Sequence, residues 1–186
     1  MVALSGWLLA GLVAAAVVSG WYLSWTASRL DRLHARVEGA RASLDAQLVR
    51  RASVALELAT SALLDPASAV LLAGAAHDAR EATAEQRELA ESDLSQALRA
   101  ALEEPEAVEG VEADAHGRTL LEELSSACQR VELARRFSND AVRAAQVVRR
   151  KRVVRWLRLA GHAEAPVTFE IDDELPAALT RAARRP

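Results

Sequence analysis

The first Asp, Glu, Lys or Arg of this 186-residue chain comes only after Ser28, although such residues make up 26% of the whole. A segment without charge cannot form a solvated surface helix, which needs a polar face. Aromatic residues are scarce as well, at 4%. Three of them, Trp21, Tyr22 and Trp25, close the uncharged segment. A core built from aromatic-rich strands is therefore excluded, and Leu, Val and Ala remain, which suit close-packed helices. The single cysteine, Cys128, rules out an intramolecular disulfide and is compatible with a reducing compartment. A net charge of −3 gives no global sign of nucleic-acid binding.

Chemistry-bearing motifs are lacking too. No glycine-rich phosphate loop, nucleophile elbow or zinc motif occurs. His34, His77, His116 and His162 are scattered. His77 and Glu81 stand at i, i+4, but two ligands do not make a metal site. Cys128 lies on an apolar stripe and reads as a small buried hydrophobe. The sequence thus assigns no catalytic, cofactor-binding or metal-binding residue, expects no cofactor, and does not read as an enzyme.

What is present is first an apolar run, Val2 to Trp25. It exceeds the roughly 20 residues a helix needs to cross a hydrocarbon core of ~30 Å. Trp7 near one end and Trp21, Tyr22 and Trp25 near the other match the aromatic belts at membrane surfaces. A cleaved signal peptide is the alternative, but no basic residue precedes the run and no good small-x-small site follows it before the helical pattern resumes. Residues 1–28 are therefore expected to contact the bilayer as a transmembrane anchor. Arg29, Arg32 and Arg36 follow at once, which places the N-terminus outside and the remainder in the cytoplasm. A bundle outside the cell is the alternative.

Beyond the anchor, apolar residues recur at three- and four-residue steps: Leu30, Leu33, Val37, Ala40, Leu44, Leu48, Ala52, Ala55, Leu58 and Ala62. Nothing forces a break before Asp65-Pro66, so the anchor is expected to run straight into the first bundle helix. A second helical region spans Pro66 to Glu104 on a weaker stripe of Val70, Leu71, Gly74, His77, Leu89, Leu94, Leu98 and Ala101, with a kink or short break among Glu81–Glu88. Glu106 to Gly117 reads as an acidic loop. A third helix is expected from Arg118 to Leu159, capped by Gly161. An extended strap, Ala165–Ile171, and a short helix or tail over Pro176–Arg185 complete the chain. The fold class is all-α: an N-terminal transmembrane helix continuing into an antiparallel bundle of three to four long helices. The expected domains are the anchor (1–28), the bundle (29–165) and the strap with its tail (166–186).

The sharpest local feature is a basic cluster of Arg149, Arg150, Lys151, Arg152, Arg155 and Arg158. It reads as a solvated helix end, favourable beside the C-terminal dipole, or as a binder of anionic lipid or nucleic acid. If helix one leaves the membrane, helix two returns and helix three leaves again, the cluster lies roughly 45 Å from the bilayer at 1.5 Å per residue. That places it away from the membrane.

Two segments carry a family resemblance. Leu44-Asp45-Ala46-Gln47-Leu48-Val49-Arg50-Arg51 resembles an Asp-x-Gln-Leu-x-Arg-Arg signature on a first long helix, and Val131 to Val142 resembles an Ala-Arg-Arg-aromatic-x-Asn-x-x-Val signature. Both are similar to LemA-type proteins, in which a membrane helix precedes a helical bundle. The chain departs from that pattern where Ser53-Val54-Ala55-Leu56 replaces the usual Pro-Asn, and it reads as a divergent member. The resemblance implies the anchor and the fold but no reaction. Asp45, Gln47, Arg50, Arg51, Arg135, Arg136 and Asn139 would then lie on facing helices as a structural polar network fixing register, or as a binding groove. The leading expectation is a membrane-tethered module for an unidentified protein partner; nucleic acid is not expected.

Overall fold

The computed structural model describes residues 2–151, 165–177 and 179, with side chains from residue 10 onward. Every regular element among these residues is helical, so the expected all-α fold is what the chain adopts: α1 (Val2–Thr60), α2 (Pro66–Glu81), α3 (Arg87–Ala101), α4 (Pro105–Ala113) and α5 (Ala115–Arg149). They form two compact units, Met1–Gly39 with Asp140–Val167, and Ala40–Asn139 with Thr168–Pro186.

In α1 the apolar run and the first bundle helix are one helix, as their unbroken periodicity implies. Its N-terminal part is long and apolar enough to cross a membrane. Leu12, Val17 and Trp21 expose 73, 65 and 71% of their surface. A helix apolar on every side needs a non-aqueous surrounding. Farther along, Leu30, Val37, Leu44, Leu48, Ala52, Ala55 and Leu58 are buried, as the stripe requires. The helix ends four residues before Leu64. The Ser61 hydroxyl donates to the Leu58 carbonyl at 2.7 Å, and Ala62 turns into the left-handed region at φ 61°. Asp65-Pro66 starts the next helix: the Asp65 carboxylate accepts from the amides of Ala67 (3.0 Å) and Ser68 (3.1 Å), and proline takes the first turn.

The second region differs most from its sequence reading. Residues 82–86 break it completely, and α2 and α3 pack together as a hairpin. Each half then selects its own buried face. Leu72, Ala76 and Ala79 of α2 and Leu94, Leu98 and Ala101 of α3 are buried, whereas Val70, Leu71, Gly74, His77 and Leu89 are exposed. The acidic stretch expected to be a loop contains α4, which buries Val108 and Val111 and carries Pro105 in its first turn. Gly117 lies in the first turn of α5, and a Cβ there would stand 2.1 Å from the Val111 carbonyl oxygen. Only glycine lets the two helix ends approach this closely.

This extra reversal sets the direction of α5. In the second unit α5 runs antiparallel to α1, with His116 near Glu57 (4.0 Å), Arg50 bonded to Glu123 (2.8 Å), and Val131 packed with Leu44 and Leu48. In the first unit Val148 packs on Leu30, with Leu33 beside them. For Arg149, Arg150 and Lys151, the described part of the basic cluster, the expected distance from the apolar run is therefore wrong. The hairpin turns the chain once more than that reading allowed, and Val148 rests two residues past the uncharged segment. The helix was expected to reach Leu159 and a cap at Gly161; it ends at Arg149 with a bend at Lys151, and residues 152–164 lie outside the described residues. Residues 165–176 carry no helix, in keeping with the strap expected over Ala165–Ile171, while of the C-terminal helix or tail Pro176, Ala177 and Leu179 are described, the last two helical.

Candidate functional site: a sealed arginine and a clamped strap

Arg51, 2% exposed on α1, is the largest fully buried side chain among the described residues. It follows Leu48 by three positions and precedes Ala55 by four, so helical geometry aims it into the core. A guanidinium cannot be left there unpaired. It donates from Nη2 to the Glu91 carboxylate (2.7 Å) and to the Glu91 carbonyl (2.9 Å), and from Nη1 to the Ser95 hydroxyl (2.9 Å). Glu91, 1% exposed, also faces Arg87 at 3.7 Å. Arg51 Nε is buried without a partner. The charge pair thus locks α1 against α3 at one register and closes that position to solvent.

A second polar assembly holds the strap. The Asn139 side-chain amide treats Phe169 as a strand would, accepting its N–H at 2.8 Å and donating to its C=O at 3.1 Å. Arg135 grips Asp173 with two parallel bonds, from Nε (2.7 Å) and Nη2 (3.0 Å), the fork geometry that favours arginine over lysine. From α3, Glu88 accepts the Glu170 N–H (2.9 Å), Ser92 accepts the Asp172 N–H (3.1 Å), and Arg99 binds the Asp172 carboxylate and the Glu174 carbonyl. Phe169 and Ile171 pack on Leu44, Leu48, Val131 and Ala134. The Arg99 hydrogen bond holds the Asp172 carboxyl below its ordinary range and raises Arg99 in turn.

The residues singled out in the sequence therefore separate. Arg51 belongs to the sealed pair, and Arg135 and Asn139 to the strap clamp. Arg50 and Arg136 are exposed and pair with Glu123 and Glu132. Asp45 is exposed, 3.8 Å from Arg87, and Gln47 is half-buried. They do not line one groove. Sequence reasoning missed Glu91, Ser95, Arg99, Asp172 and Asp173. Glu91 was visible in principle, three positions before the buried Leu94, but no spacing pairs it with Arg51 forty residues away. Among the described residues no group of three or more His, Cys, Asp or Glu is placed to hold a metal ion. Cys128 is buried, and burial pushes its thiol above the ordinary value.

Of the basic cluster, Arg150 and Lys151 are exposed and Arg149 is half-buried; Arg152, Arg155 and Arg158 lie outside the described residues. Compared with protein-family models, curated proteins and solved structures, the chain matches none.

Proposed function

We propose that the chain is a non-catalytic, LemA-type interaction module, held in a bacterial membrane by residues 1–28, with its bundle in the cytoplasm, and that it binds a protein partner there. The observation that carries this reading is how the shared polar residues are used. Arg51, Arg135 and Asn139 are consumed by Glu91, Asp173 and Phe169, so they hold the bundle together and offer nothing to a substrate. What the bundle presents outward is apolar surface in an unusual place. Leu133 and Phe137, one turn apart on α5, are 50 and 66% exposed. A large exposed apolar pair at helical spacing suits a helix or groove of another protein. The test is a photo-crosslinking residue at Phe137 in intact cells. A discrete protein adduct, lost when Leu133 becomes Asp, supports the reading; a featureless smear unchanged by that substitution contradicts it.

A further inference from the structure

The return of α5 brings together two basic stretches that are far apart in sequence. Arg29, Arg32 and Arg36 are exposed on α1 directly after the apolar run. Arg150 and Lys151 are exposed at the end of α5, beside half-buried Arg149, and their level is fixed by Val148 packing on Leu30. We propose that these residues form one collar that binds the phosphodiester headgroups of anionic lipids. The proposal rests on residues 1–28 spanning the membrane.

Three observations carry it. The depth is right: the Arg29 guanidinium lies 5.7 Å over the Trp25 ring, and tryptophan marks the headgroup level of a membrane span. Trp21, Ser24, Trp25, Ser28, Asp31 and Arg32 line a shallow open recess at that level. The charge is right as well. Asp31 and Glu38 are the acidic residues of α1 between Arg29 and Gly39, and Asp140 of α5 pairs with Arg143 at 3.1 Å, so cations dominate. Finally, helix-end stabilisation explains basic residues only at the last turn of α5; Arg29, Arg32 and Arg36 sit inside α1 and gain nothing from it. Basic residues from both helices flank the same end of the span, which directs that end to the cytoplasmic leaflet, where anionic lipids reside. Nucleic acid would have to approach the same cations through a layer of like-charged headgroups.

The full chain in phosphatidylcholine bilayers tests this through spin-labelled lipids. A motionally restricted population of labelled phosphatidylcholine reports the span. Its absence overturns the membrane reading and the collar with it. With the span present, labelled phosphatidylglycerol should be selected over phosphatidylcholine by about fivefold or more. Selection should fall toward unity in about 1 M salt, where the screening length shrinks to ~3 Å. Replacing Arg150 and Lys151 by Gln should remove most of the selection while the restricted phosphatidylcholine signal stays, and replacing Arg29 and Arg32 by Gln should do the same. Equal association of the two lipids, or selection unchanged in both variants, would overturn the collar.

Discussion

A buried arginine is tolerated only while its carboxylate faces it. Replacing Glu91 by Ala leaves the Arg51 charge in the core, and stability should fall by about 3–5 kcal/mol, read as the shift of the denaturation midpoint. Changing Arg51 and Glu91 together to Met and Leu should recover most of that loss, because a well-packed apolar pair avoids the desolvation cost. A drop under ~1 kcal/mol for the single change would mean the pair is hydrated. Cys128 behaves in the opposite sense. Burial raises its thiol, so the thiolate that reacts with maleimide is scarce at neutral pH. Labelling should be slow in the folded chain and fast after denaturation.

At the scale of elements, the ends of the helices decide the fold. Ala62 adopts φ 61°, where a Cβ costs about 1–2 kcal/mol. Ala62→Gly should therefore stabilise by roughly 0.5–1 kcal/mol once the flexibility of glycine in the unfolded chain is subtracted. Gly117 and Gly110 form a matched pair. Alanine at 117 meets the Val111 carbonyl and should cost at least ~1–3 kcal/mol. Alanine at 110 meets nothing within 4 Å and should gain up to about 1 kcal/mol of helix propensity. The same contrast shows what was legible. The stripe from Leu30 to Leu58 announced α1, and a long third helix expected from Arg118 onward announced most of α5, because long periodic faces override local detail. The hairpin did not announce itself. The stretch Ala82–Gln86 contains neither glycine nor proline, and whether it bends or reverses depends on the packing of α2 on α3. Both polar assemblies depend on partners forty or more residues apart for Arg51, and thirty-eight for Arg135 and Asp173. Periodicity along one helix holds no information about such pairs.

Across the whole molecule, the strap and the return of α5 connect sequence to role. The Asp172 carboxyl is depressed chiefly by its hydrogen bond from Arg99. A depressed folded-state value adds stability above the ordinary value of 3.8, and that stability is lost as pH falls through the folded value. The group is partly exposed, so the effect is local. Proteolysis within residues 165–176 should stay slow and flat from about pH 5 to 8 and should quicken only below about pH 4; a change near neutrality would contradict the clamp. The central claim is that α5 returns to the end of the apolar run. It is tested most directly by pulsed electron resonance between spin labels at Asp31→Cys and Val147→Cys in a Cys128→Ala background. A return alongside α1 gives a distance within about two helix diameters, ~20–25 Å. A distribution centred near ~45 Å, the separation that an outward-running α5 would impose, would contradict it.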